Sequence, residues 1–505
     1  MDLRPIVLLS GIVFALCGAA AAEGAPGSSA TRAKAALVAA EDAFRPDSLP
    51  AEATLALRDL ALVRGDLATP ADRARAQALL ERPEYGVATR SFCMNVCVHW
   101  AESGRDAPPL RDGNANGLPD WVETTMVVME EIWAREIVQF GFRPPKSDVT
   151  LPDHGPDGRL DVYLVDIADE VLGYCAPELP PGYTGFDVPG YCVLDDDYSL
   201  AQLGPPTIGG RTELMLTAAH EFFHAVQFGY DAAEDGWFLE GTATWMEDEV
   251  YDALDEPHGR FPYSPLLHPE VPIDTWSSSE PYQYGSWVFW RFFEEFFSPE
   301  RAPRDATVIR RVWELADASA AAPDLYSLEA VDAVARERQF SLRSVFVAFG
   351  VVNSVPRSFY EQGSAYPSAP PARSYTLSRT RAATGAQKLV LDHMANRHVS
   401  LRRGAGVSAA GRLSITVDLP GVARGSEATA LVLRRSGAPQ IVRFRLSFSG
   451  DGTVKVAFGA SVSRVVLVLT NASARFTCWR RTRLACSGTP LDDNQTYRFR
   501  AALAD

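Results

Sequence analysis

The run Leu214-Met215-Leu216-Thr217-Ala218-Ala219-His220-Glu221-Phe222-Phe223-His224-Ala225-Val226-Gln227-Phe228 is the most informative in the chain. It contains no Gly or Pro, and its apolar content suits a buried helix. On a helix His220 and His224 stand one turn apart on one face, so both imidazoles can grip one metal ion. Glu221 then points beside that ion, where a carboxylate can take a proton from water. Two imidazoles favour zinc over magnesium. The plainer reading is an amphipathic helix with exposed histidines, but residues this apolar on either side would place both rings poorly.

A tetrahedral catalytic zinc needs a third protein ligand and an open fourth position. Downstream lies Trp237-Phe238-Leu239-Glu240-Gly241-Thr242-Ala243-Thr244-Trp245-Met246-Glu247. Glu240 follows His224 by 16 residues at the start of a second expected helix, which can return antiparallel and face the same site. Each metal-bound imidazole should also donate its other ring N–H to an acceptor. Glu247 shares the Glu240 face at i+7 and is the candidate partner, against the plainer reading of a solvated or capping carboxylate.

These motifs resemble the gluzincin type of zinc metallopeptidase, and within it a group of secreted bacterial metallopeptidases. The resemblance runs from about Phe92 to the C-terminus, through Asp161-Val162-Tyr163-Leu164-Val165, the His220–Phe228 stretch, Glu240–Glu247 and Asn353–Gly363. It implies zinc ligation by His220, His224 and Glu240, with Glu221 as catalytic base. It further implies a Tyr or His that hydrogen-bonds the oxyanion. Tyr284, in Glu280-Pro281-Tyr282-Gln283-Tyr284-Gly285-Ser286-Trp287 at the head of a helix expected to reach Phe297, is the candidate, with Tyr282 behind it. The chain departs from a thermolysin-like pattern at i+4 from Glu240, where Thr244 replaces the Asp.

A second motif is Asp112-Gly113-Asn114-Ala115-Asn116-Gly117-Leu118-Pro119-Asp120-Trp121-Val122-Glu123. It fits the twelve-residue calcium loop, with Asp112, Asn114, Asn116, Asp120 and Glu123 as oxygen ligands, the Leu118 carbonyl at position 7 and Gly117 at position 6. Pro108 and Pro109 leave no room for a preceding helix, so the expectation is a half-EF-hand in a structural role. The alternative is a turn in which Asp120 and Glu123 form a capping box for the helix Trp121–Phe140.

Residues 1–22 carry Arg4, an apolar run from Ile6 to Leu16 and Ala20-Ala21-Ala22, the layout of a secretory signal peptide. The mature chain then keeps six cysteines in three close pairs, expected as disulfides Cys93–Cys97, Cys175–Cys192 and Cys478–Cys486. No later apolar run approaches the ~18 residues of a membrane helix, so a secreted or periplasmic soluble protein is expected.

The remaining organisation follows from composition. Residues 23–90 are Ala- and Leu-rich with helical spacing, read either as a pro-segment or as a helical hairpin packed on the next domain. Residues 91–366 mix short strands with long helices, which reads as an α+β domain, and the resemblance implies a zincin-like metallopeptidase fold there, with a small twisted sheet and active-site helices. Residues 367–372 form a Pro-, Ser- and Ala-rich linker. Residues 373–505 alternate apolar and polar positions between turns and read as an all-β sandwich. The strand around Tyr191–Leu194 is a candidate edge for aligning an extended peptide, and Asp195-Asp196-Asp197 reads as a solvated loop.

With 505 residues, 47% of them hydrophobic, and a net charge of −16, the chain is neither disordered nor suited to nucleic acid as its main partner. The charge is uneven, since Leu401 to Asp505 holds 16 Lys/Arg and 6 Asp/Glu. The expected function is a secreted zinc endopeptidase, binding zinc and calcium and acting on proteins or peptides. The alternative is a calcium-binding exoprotein or adhesin that keeps the metallopeptidase fold with little activity and docks its basic β-domain on an anionic surface.

Overall fold

Asp161–Val165, an apolar run bounded by turn residues, lies at the middle of a five-stranded sheet in the computed structural model. The structure describes residues 28–45, 53–167, 171–179, 183–199, 209–277, 280–298, 306–478 and 488–504. The expected signal peptide, residues 1–22, lies outside them.

The sheet joins β1 (Thr89–Cys93), β2 (Cys97–Ala101), β3 (Asp161–Val165), β4 (Gly173–Pro177) and β5 (Gly190–Asp195) in the order β1-β2-β3-β5-β4. The three inner strands are parallel, and both outer strands are antiparallel to their neighbours. Parallel inner strands are covered on both faces. The expectation for Tyr191–Leu194 is therefore corrected: β5 is an inner strand between β3 and β4, and the free edge belongs to β4. Disulfides join Cys93 to Cys97 across the β1–β2 hairpin and Cys175 to Cys192 across β4–β5.

Because alternate residues of a strand face opposite sides, Tyr163, Ala176, Tyr191 and Val193 point one way. They are covered by α1 (Ser29–Asp42), α2 (Ala53–Val63) and α3 (Pro70–Leu80), through Leu37, Leu57, Leu60 and Leu80. Pro70 opens α3 beneath a Thr69 side-chain cap on the Asp72 amide. The N-terminal region is thus an outer layer of the domain. Its helices end at Leu80, and the expected boundary at residues 90/91 falls inside β1. Just beyond α3, buried Arg82 pairs with Asp148, Asp161 and Glu178, tying that layer to the sheet.

On the other face, Val98, Val162, Leu164 and Leu194 pack against α4 (Asp120–Trp133), α5 (Gly210–Asp231) and α6 (Gly236–Val250). The helix expected over Trp121–Phe140 is α-helical only to Trp133 and continues as a π-helical turn, Ala134–Gln139. Then come α7 (Tyr282–Gly285), α8 (Trp287–Phe297), α9 (Thr307–Ala316), α10 (Leu328–Glu337) and α11 (Leu342–Val352). The single helix expected from Tyr282 to Phe297 is two, separated at Ser286.

The β-rich unit contains β6 (Arg373–Leu377), β7 (Gln387–Leu391), β8 (Ala395–Arg403), β9 (Arg412–Asp418), β10 (Ser426–Arg434), β11 (Gln440–Arg443), β12 (Asp451–Ala457), β13 (Val462–Asn471) and β16 (Gln495–Ala504), with β14 (Phe476–Cys478) and β15 (Gly488–Pro490) as a small ribbon. Its two sheets run β11-β10-β13-β8-β6 and β12-β9-β16-β7. Between them, Leu401, Ile415, Val432, Leu467 and Phe499 form one core. The expected Cys478–Cys486 bond is not described, because Cys486 lies outside the described residues.

The two units meet where Val351 of α11 packs on Leu431, Val466 and Val468. Gly350 allows this approach, since a Cβ there would stand 2.2 Å from Asn396 Oδ1. Arg343 adds an ion pair to Glu427 at 2.7 Å and donates to the Val422 and Ser426 carbonyls. Among the described residues no helix is long and apolar enough to cross a membrane.

Candidate metal centre

Helix α5 carries His220, Glu221 and His224, all buried, and α6 packs beside it with Glu240 1% exposed. One ligand atom from each of His220, His224 and Glu240 lies within 4.8 Å of the others. The ring nitrogens are sorted by their partners. His220 Nδ1 is 2.7 Å from Glu247 Oε1, and His224 Nδ1 is 2.7 Å from Gln227 Oε1. With Nδ1–H donating outward, each Nε2 keeps its lone pair for the centre.

His220 Nε2 stands 3.1 Å and His224 Nε2 3.5 Å from Glu240 oxygens. His224 Nε2 is buried with no hydrogen-bond partner, an expensive state for a polar atom. Two imidazole nitrogens and one carboxylate around a common point make a donor set that suits zinc, and the orphaned Nε2 is what such a group would satisfy.

Burial raises the Glu240 carboxyl, but His224 and His220 outweigh it and hold it down to about 2. Burial also raises Glu221, with His224, His220 and a Thr54 hydrogen bond opposing. Gly241 lets α6 close on α8, since a Cβ there would lie 2.3 Å from Ser286 Oγ and 2.7 Å from Trp290 Nε1. Behind α6, buried Arg291 of α8 pairs with Asp248, Glu249 and Glu294.

Tyr284 sits with its ring 5.8 Å from that of His220, and Arg260 lies over the Tyr284 ring with Cζ 4.9 Å from its centre. The Tyr282 ring instead neighbours His268 and Tyr263.

Three residues near the centre had no place in the sequence reading. Gln227 lies one turn after His224, and that spacing was a usable signal; its amide also donates to the Leu239 carbonyl and Thr242 Oγ1, locking α5 to α6. Glu136, fully buried on the π-helical turn, has neither carboxylate oxygen hydrogen-bonded. Burial holds its carboxyl well above the ordinary range, opposed by His220. Thr54 of α2 donates to Glu221 Oε2 at 2.8 Å and accepts the Cys175 N–H at 3.0 Å. That N–H faces away from β5, so α2 occupies the free edge of β4 beside Glu221. Only the tertiary fold brings these two together.

The Asp112–Glu123 loop is exposed and closes on itself. Asp112 accepts the Asn116 and Gly117 amides, Asn114 and Asn116 side chains donate to Glu123, and Asp120 accepts the Gly113 amide. Ala115 and Gly117 take positive φ, at 57° and 86°. The capping-box alternative fails, because the Pro119 N-cap has no side-chain bond and Glu123 faces the loop. Oxygens of Asp112, Asn114, Asn116, Asp120 and Glu123, with the Leu118 carbonyl, form the donor set that would suit calcium.

A cleft of about 940 Å³ lies elsewhere, at the seam between the two units, lined by Asp274, Tyr326, Arg343, His393, Arg475 and Phe476 among others. No metal-centre side chain lines it.

No family model matches this chain, and no curated protein does. Solved structures with some likeness include the pre-peptidase C-terminal domain of a Bacillus anthracis collagenase, 11% identical over 27% of this chain and 97% of that one, TM-score 0.17. A periplasmic inhibitor of g-type lysozyme from Aeromonas hydrophila is 18% identical over 26% and 98%, TM-score 0.15. A surface-associated copper-binding protein of Methylomicrobium album BG8 is 7% identical over 26% and 100%, TM-score 0.15. Likenesses this low carry no argument about this chain.

Proposed function

We propose that the chain is an exported zinc-dependent endopeptidase of the gluzincin type, built on a zincin-like unit. The observation that carries this reading is the convergence of His220 Nε2, His224 Nε2 and the Glu240 carboxylate, with Glu221 one residue from the first ligand and both Nδ1 atoms already held. The mixed sheet, with both outer strands antiparallel, supports it, and the disulfides Cys93–Cys97 and Cys175–Cys192 support export.

A zinc ion at the centre would polarise the scissile carbonyl and acidify a water near neutral pH. Glu221 accepts the attacking water's proton and passes it to the leaving amide nitrogen. Burial raises its affinity for that proton. Glu247 and Gln227 keep both imidazoles in the ligating tautomer. Tyr284 donates its hydroxyl to the developing oxyanion.

The test is cleavage mapping of a mixed peptide library with zinc and calcium present, beside zinc analysis of each protein. Wild type is expected to cleave. Glu221→Gln is expected to keep about one zinc while losing about 10²–10⁴-fold in turnover; an active Glu221→Gln protein overturns the mechanism. A second reading, a calcium-binding exoprotein with little peptidase activity, is favoured by Thr54, which occupies both Glu221 and the β4 edge. Zinc binding without any cleavage by wild type selects that reading.

A further inference from the structure

Asp195, Asp196 and Asp197 are not the solvated loop that their sequence suggests. They lie where β5 ends, and Asp195 is 0% and Asp196 5% exposed. A carboxylate oxygen from each lies within 4.8 Å of the others. Asp195 Oδ1 accepts the Asp197 and Tyr198 amides, which fixes the turn. The Asp196 carboxylate has no hydrogen-bond or ion-pair partner among the described residues. Asp166 and Asp106 add further negative charge around it, and Arg105 is engaged with Asp166.

A carboxylate largely withdrawn from water, with no protein partner among the described residues and four like charges nearby, is a costly arrangement. A proton relieves Asp196 alone, whereas a divalent cation within reach of three carboxylates relieves all of them at once. The donors are all oxygen, with no imidazole or thiolate, which selects a hard cation. Consecutive residues at an irregular strand end suit calcium, which accepts variable geometry, better than magnesium, which demands an octahedron.

We propose that Asp195, Asp196 and Asp197 form a calcium site, distinct from the Asp112–Glu123 loop and from the His220–His224–Glu240 centre. Its place in the fold gives it a role. Gly210, the first residue of α5, packs so closely that a Cβ there would stand 3.0 Å from the Tyr198 carbonyl oxygen and 3.5 Å from that of Asp197. The Tyr198 hydroxyl donates to the Leu172 carbonyl at 2.9 Å. Calcium would therefore brace the end of β5 and the strand next to it against the start of the helix that carries His220. The inference stands whether or not the chain is a peptidase.

Calcium alone is the probe, added to the full mature chain and followed by titration calorimetry and thermal melting. Asp112→Ala removes the exposed loop as a source of signal. That variant is expected to keep a calcium-binding heat and a calcium-dependent rise in melting temperature. Adding Asp196→Asn is expected to remove both, while the double variant melts in calcium-free buffer no lower than Asp112→Ala, because a repelled charge has gone. Asp197→Asn in the same background should repeat the loss. Asp112→Ala protein that binds no calcium at millimolar concentration overturns the site. So does a folded double variant that still binds it like its parent.

Discussion

At the scale of single residues, the candidate metal centre depends on which nitrogen of each histidine carries the proton. Glu247 and Gln227 make that choice for His220 and His224. Outer partners of this kind carry about 10–100-fold in metal affinity. Glu247→Ala and Gln227→Ala are therefore each expected to weaken zinc binding by about that factor, measured by competition against a chromogenic chelator, with the far-ultraviolet circular dichroism unchanged. Affinity unchanged in both would remove the tautomer argument. Glu247 was readable from the sequence, because i+7 on one helix is a fixed geometric relation. Thr54 was not, since 167 residues of chain separate it from Glu221.

At the scale of elements, the centre depends on α5, α6 and α8 keeping their spacing. Buried Arg291 holds Asp248, Glu249 and Glu294 behind α6. Arg291→Met would leave three buried carboxylates without their cation, and breaking a buried pair in this way costs about 3–5 kcal/mol. Urea unfolding of that variant should show a midpoint lowered accordingly; a wild-type midpoint would mean the cluster is internally compensated. Helix α2 bears on the proposed activity, because it lies along the free edge of β4. A peptide substrate aligned on that edge would compete with Thr54 for the Cys175 N–H and for Glu221. Thr54→Val, nearly the same shape without the hydroxyl, is expected to raise kcat/KM on a quenched fluorescent peptide while zinc content stays constant. No change would place substrate away from β4. The helix–strand alternation and the Asp112–Glu123 loop were legible in the sequence. The break at Ser286, the π-helical turn and the inner position of β5 were not, because they depend on what packs against each segment.

At the scale of the molecule, the seam between the helical unit and the sandwich includes a titratable link. His393 sits between Asp274 of the helical unit, at 3.0 Å, and Asp493 of the sandwich, at 2.6 Å. Burial lowers its pKa, but Asp274 and Asp493 outweigh burial and raise it to about 10. A group raised on folding contributes fully below its unfolded value of about 6.5 and loses that contribution as pH climbs through its folded value. Wild-type melting temperature is thus expected to fall between about pH 7 and pH 10, and His393→Gln to show a flatter profile over that range; parallel profiles would deny the link a role. From the sequence alone came the helix with its two histidines, the Glu beside them, the third carboxylate, the cysteine pairs Cys93–Cys97 and Cys175–Cys192, and a β-rich unit in the C-terminal part of the chain. Those follow from local periodicity and spacing, which act within a few turns of chain. The tertiary structure alone decided that the N-terminal helices form a layer of the sheet, that Thr54 reaches Glu221, and that an acidic run ends up buried, because burial and long-range contact are properties of the packed whole.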